Sequence, residues 1–172
     1  MATNLTPLDS MGGFSVENLT LINESKDLIN VNSLEIKNTS FADKYAASYV
    51  LSGNTTDVLA LDANGTQIPI SSSTVNFITA HIIGVNNLGT GHLSLKQESV
   101  VVVDTNGAPT ELSNLLTIIK DSVPSGETWT TELFDTGALN RFSYSVTKQG
   151  GTPGQTIKWV GYVQVISIEW TC

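Results

Sequence analysis

The chain is short of cations, cysteine and long apolar runs, and each shortage closes off a class of function. Of its 172 residues only 8 are Lys or Arg, against 16 Asp or Glu, for a formal net charge of −8. The cations are scattered from Lys26 to Lys158 and nowhere form a run. Neutralising phosphates needs clustered cations, so neither nucleic acid nor an anionic membrane surface is an expected partner. The excess of acid serves solubility and would favour a partner with a basic patch. The one cysteine, Cys172, excludes an intrachain disulfide framework and allows folding in a reducing compartment. No apolar run approaches the roughly 20 residues that span a bilayer. The opening MATNLTPLDS lacks the basic and apolar regions of a secretory signal, so synthesis in the cytoplasm is expected.

Charged residues make up only 14% of the chain, and Thr, Ser, Asn and Gly supply much of its polar character. That balance favours strands and turns over helical bundles. From about residue 47, short apolar-rich segments alternate with turn signals. SYVLSG, VLALD, TQIPI, VNFITAHIIGV, HLSLKQESVVVVD, LLTIIKD, ETWTTELF and NRFSYSVT read as strands. Asn64-Gly65 and Asn106-Gly107 mark turns, and Pro69 marks an edge strand. The tract FADKYAASY has room for one helical turn at most. The expected fold is all-β: a jelly-roll-like antiparallel β-sandwich over residues 46–172, preceded by an extended N-terminal arm over 1–45. The arm carries isolated apolar beads, Phe14, Val16, Leu19 and Leu21 among them, after a Gly12-Gly13 hinge.

Little in the sequence carries chemistry. His81 and His92 flank the turn NNLGTG and would face each other in a hairpin centred on Asn86-Asn87. Two imidazoles do not close a metal site, so no metal or other cofactor is expected. No serine stands in a G-x-S-x-G context, and Cys172 has no rigid scaffold after it. Glu127, Glu132 and Asp135 offer carboxylates of the kind glycoside cleavage uses, but with 16 acids some proximity arises by chance. QGGTPGQ lacks the lysine of a phosphate loop and reads as a wide hairpin loop. Trp159 sits in an apolar strand and Trp129 alternates with polar residues, so both are expected to point inward. Trp170 is a candidate for an exposed contact.

Two segments, VNFITAHIIGVNNLGTGHLSLKQES and NRFSYSVTKQGGTPGQTIKWVGYVQV, resemble a small β-sandwich domain of exterior virion proteins in tailed bacteriophages. The likeness spans about Val75 to Glu169, and TIKWV, Thr156 to Val160, is its most distinctive piece. SLEIKNTSFADKYAASYVLSG is similar to segments from marine and cyanobacterial phages. The resemblance implies a place on the outside of the particle, in decoration proteins or fibres, often as trimers. It supplies no catalytic residues. Coiled-coil and collagen-like repeats of a long fibre shaft are absent, which favours a compact head decoration protein.

The closing segment QTIKWVGYVQVISIEW sharpens that expectation. Ile157, Trp159, Gly161, Val163 and Val165 form one alternating set, and Lys158, Val160, Tyr162, Gln164, Ile166 and Ile168 the other. Both are mainly apolar, whereas a strand buried on one face alternates with polar residues. One face is expected to enter the subunit core, and the other to be covered by the opposite layer over part of its length and by a sister subunit over the rest, with a bend or bulge at Gly161. Taken with the resemblance, which implies the virion role and the trimer, the expected protein is no enzyme but a virion structural subunit, a homotrimeric capsid decoration or cement protein. Phe14, Val16, Leu19 and Leu21 would attach it to the major capsid protein or another virion protein. Tyr162, Ile166, Ile168 and Trp170 would carry self-association. The alternative is a short tail or neck fibre, or a baseplate protein, binding host glycans through exposed loops and through Trp129 or Trp170.

Overall fold

The computed structural model describes residues 14–16, 19–22, 33–38, 41–134, 138–151 and 153–170. The chain divides into two units, 1–32 and 33–172. In the first, β1 (Phe14–Val16) pairs antiparallel with β2 (Leu19–Ile22), in a register that sets Val16 opposite Leu19. The side chains of Phe14, Val16, Leu19 and Leu21 lie outside the described residues.

The second unit is an antiparallel β-sandwich, and no helix occurs among the described residues. Its larger sheet has 6 strands in the order β3-β4-β12-β7-β8-β9. These are β3 (Ser33–Asn38), β4 (Phe41–Asn54), β12 (Ile157–Glu169), β7 (Thr74–Asn86), β8 (His92–Val103) and β9 (Pro109–Ser122). The smaller sheet runs β10 (Glu127–Phe134), β11 (Arg141–Gly150) and β5 (Asp57–Val58), with β6 (Ile68–Pro69) also paired to β11. Pro69 thus occupies a two-residue strand opposite Arg141, a setting that asks little of its missing N–H. Residues 33–45, read from sequence as part of the arm, supply β3 and the start of β4.

FADKYAASY forms no helical turn. It is strand throughout, because β4 is held between β3 and β12 and its Ala47, Tyr49 and Leu51 alternate into the core. QGGTPGQ is not a hairpin loop either. β11 pairs within the smaller sheet and β12 within the larger, so the segment carries the chain from one layer to the other. Gly150, Gly151 and Gly154 all take positive φ along that path.

The core lies between the sheets. Ile78, Ala80, Ile82, Leu95, Val163 and Val165 come from the larger sheet, and Trp129, Phe142, Tyr144 and Val146 from the smaller. Trp159 is its largest fully buried side chain. Across the ladder it stands between Gly53 and Gly84, and a Cβ on Gly84 would lie 2.4 Å from the indole ring. Trp129 meets it edge to face, with ring centroids 5.8 Å apart. Leu59, fully buried, takes the neighbouring seat: a Cβ on Gly53 would lie 2.8 Å from its side chain, and one on Gly161 3.5 Å. Leu59 is tied to the smaller sheet by its N–H to the Tyr144 carbonyl, 2.8 Å, and by the Ser143 hydroxyl, which donates to its carbonyl.

Gly161 is therefore no bulge. Pairing of β12 with β4 and β7 runs through it without a register shift, and a Cβ there would meet Leu59 only at ordinary contact distance. The two glycines should respond differently to substitution. Gly84→Ala drives a methyl into the indole and is expected to lower stability by about 1–3 kcal/mol. Gly161→Ala meets only ordinary contact distances and is expected to change it by less than about 1 kcal/mol. Urea unfolding of both variants checks this. Equal losses at the two positions would refute the seat at Gly84.

Candidate functional site

The smaller sheet covers one face of the larger, and no described strand of the 33–172 unit covers the other. Along β7 the burial pattern alternates strictly, with Ile78, Ala80 and Ile82 inside and Val75, Phe77, Ile83 and Val85 outside. β12 does the same, with Val160, Tyr162, Ile166 and Ile168 outside. Register aligns these residues into rows across the sheet. Ile36, Ala46, Ile166, Phe77 and Val100 form one continuous apolar row across five strands. The next row adds Ile168, Val75 and Val102, with Lys44 at its margin. Ala46, being small, leaves a shallow groove of ≈ 200 Å³ between Leu34, Ile36, Phe77 and Ile166.

Toward the other end of the sheet a second apolar group gathers Val50, Tyr162, Val160, Ile83 and Val85. The Tyr162 hydroxyl donates to Ser48 Oγ at 3.1 Å. A polar band, Ser48, Gln164, Thr79 and Glu98, separates the two groups. Lys96 bridges to Glu98 at 2.9 Å beside it. Eleven large apolar side chains on this face are between 36% and 68% exposed. A monomer rarely leaves two apolar groups of this size wet on one face.

Three of the four residues expected to carry self-association, Tyr162, Ile166 and Ile168, are thereby brought onto one exposed face of one strand. Trp170 follows immediately after β12 and is 45% exposed, with its N–H bonded to the Ser73 carbonyl. Residues contributed by β4 and β7, Val50, Phe77, Ile83 and Val85, belong to the same face. In VNFITAHIIGV, Val75, Phe77, Ile83 and Val85 fall in the alternating set opposite to Ile78, Ala80 and Ile82, so β7 is largely apolar on both faces despite Asn76, Thr79 and His81, a weaker form of the signal that singled out β12.

Other candidates fare differently. His81 and His92 are not opposite each other: His81 pairs with Lys96 and His92 with Val85, because the hairpin turns at Asn86–Gly91 and shifts the register. No group of three or more His, Cys, Asp or Glu able to hold a metal exists among the described residues. Glu127 is a structural carboxylate. It accepts a 2.7 Å bond from Trp129 Nε1 and lies 3.8 Å from Lys148 Nζ, with both charged side chains nearly enclosed. Glu132 lies on the opposite face of β10, and Asp135 falls outside the described residues, as does Cys172. Trp129 is buried, so it offers no stacking surface to a sugar.

A polar cleft of ≈ 580 Å³ opens where β3 and β4 meet the start of β11, lined by Glu35, Tyr45, Tyr49, Arg141 and Glu169. Burial, reinforced by Tyr45 and Glu35, pushes the Tyr49 hydroxyl up to about 12. Burial also raises Tyr144, with a smaller push from Glu111. No family model matches the chain, no curated protein matches it, and no solved structure matches it.

The two tyrosines make stability sensitive to alkali. An unfolded chain releases their protons near pH ~10, whereas the folded chain holds them beyond that. Stability from this source is complete below pH ~10 and falls as pH rises toward the folded values, by about 1.4 kcal/mol per pH unit for each tyrosine. Urea unfolding between neutral and alkaline pH is expected to show this decline and to show it blunted in Tyr49→Phe and Tyr144→Phe. The Tyr144 hydroxyl has no hydrogen-bond partner among the described residues, so Tyr144→Phe should cost little at neutral pH. An unchanged alkaline slope in both variants would contradict the assignment.

Proposed function

We propose that the chain is a structural subunit of a bacteriophage particle, a trimeric exterior protein of the decoration type that reinforces the head shell and performs no catalysis. The single observation that carries this reading is the uncovered apolar face of the larger sheet. Eleven half-exposed side chains, at about 1 kcal/mol each when covered, would contribute on the order of 10 kcal/mol gross per copy. Rigid-body association costs an amount of the same order. Copies therefore hold together only where the two surfaces fit closely, which gives the apolar groups, the groove at Ala46 and the polar band between them a role in register as well as in affinity.

A threefold ring needs a heterologous contact, so the two apolar groups on this face, one on each side of the polar band, would each meet the other group of a neighbouring copy, and three such contacts close the ring. Three copies would present three N-terminal segments to the particle. Attachment of Phe14, Val16, Leu19 and Leu21 to the major capsid protein would then be multivalent, far tighter than one segment alone. The acidic charge of −8 suits a basic patch on that partner.

Replacing Ile166 and Ile168 by Glu puts two charges on the proposed contact without touching the core. These variants are expected to keep the far-ultraviolet spectrum of the folded protein, to lose the trimer, and to enter particles at least tenfold less well. Mass spectrometry of purified particles reads incorporation and copy number together. Copies in proportion to the major capsid protein support head placement. A count matching the tail proteins, or normal incorporation of the double variant, contradicts the reading.

A further inference from the structure

We propose that β9 is a second assembly surface, independent of the sheet face, and that its occupant is β9 of another copy paired antiparallel across a twofold axis. Among the described residues β9 forms an edge of the larger sheet, hydrogen-bonded to β8 on one side only. It is 14 residues long, and residues 110–121 are exposed on both of its faces, because the smaller sheet does not reach over it. Leu112, Leu115, Leu116, Ile118 and Ile119 are between 46% and 63% exposed. No charge and no proline lies between Glu111 and Lys120.

Exposed edges in folded proteins are usually blunted by lysines, prolines or bulges. Here register shifts leave Leu112 and Ile119 as extra residues, and the stretch between them, Ser113–Ile118, stays regular and fully paired to β8. The edge is therefore regular and uncharged where a partner strand would lie, with its irregularities at the two ends. Main-chain groups supply the affinity of such strand addition and flanking side chains supply the fit.

Length selects the partner. The sheet's other edge, β3, has 6 residues and carries Glu35 and Lys37, too short and too charged to match. β9 matches itself in length. Antiparallel self-pairing centred on Leu115 sets Ser113 opposite Thr117 and Leu112 beside Ile118. It also brings Glu111 of each copy to the Lys120 end of the other. Parallel pairing would put like ends together.

Twelve exposed residues a side fall short of the 20 to 30 of a typical stable interface. The pairing is thus weak between lone copies and firm between copies already joined. Its strength within an assembly rests on the trimer reading above, whereas its existence does not. Threefold units linked through twofold β9 contacts would form a network. Because each copy carries a charge of −8, pairing should tighten as salt screens the repulsion.

Sedimentation velocity of the full chain over a range of concentrations separates the two surfaces. Ile166→Glu, which blocks the sheet face, is expected to leave a reversible dimer that tightens with salt. Adding Leu116→Lys and Ile118→Lys should weaken that dimer at least tenfold. Amide hydrogen exchange of residues 113–118 should slow as concentration rises in Ile166→Glu and not in the triple variant. The proposal is overturned if Ile166→Glu stays monomeric at high concentration and its β9 amides exchange equally fast throughout. It is overturned too if the β9 lysines leave the dimer intact. If wild type and Ile166→Glu sediment alike and the β9 lysines abolish all association, β9 stands and the sheet-face reading fails.

Discussion

A sandwich of two unequal sheets can bury only one face of the larger, and everything else here follows from that inequality. The smaller sheet buries the inner row of β12 and β7, seating Trp159 and Leu59 over glycines, and stops there. The same strands carry apolar residues on their outer face. Alternation in a β-strand is strict, so no local adjustment can hide both sets. Either water tolerates the outer set or another chain covers it.

The core explains why the sheet cannot rearrange to relieve that exposure. Trp159 fits between Gly53 and Gly84 only in the observed register, because a one-residue slip would bring side chains under the ring and turn the inner set outward. Leu59 adds a second lock, held to β11 by main-chain bonds and lodged over Gly53 and Gly161. The polar turns are tied in the same spirit. The Asp62 carboxylate, held below its usual range by the Thr66 side chain and backbone, closes one turn, and Asp104 accepts two backbone N–H bonds in the next. The exposed face is thus displayed by a rigid frame, as an assembly surface requires.

Much of this was legible in the sequence. The all-β sandwich followed from turn spacing and strand composition, and so did the double-sided apolar character of β12; the opposite layer does not cover part of its outer face as expected, because the smaller sheet lies against the inner face alone. What alternation cannot reveal is which strands share a sheet. QGGTPGQ looks like any glycine-rich hairpin loop, and only pairing shows that it joins two layers. Gly161 looks like a bulge because a glycine inside a long strand suggests one, whereas pairing on both sides runs through it unshifted. The histidines looked opposed because register depends on Asn86 accepting the Thr90 and Gly91 amides, a side-chain detail composition does not encode. β9 escaped notice because LLTIIKD reads as an ordinary buried strand. Its exposure is set by the width of the smaller sheet.

The most direct test of the central idea is fluorescence-detected sedimentation of the unmodified protein at progressive dilution, combined with solvent labelling of β12. An apolar face sheltered by sister copies predicts trimers that persist to submicromolar concentration, with the outer residues of β12 labelled only once the trimers dissociate. A stable monomer at micromolar concentration, with those residues freely labelled and the protein still soluble, would contradict it.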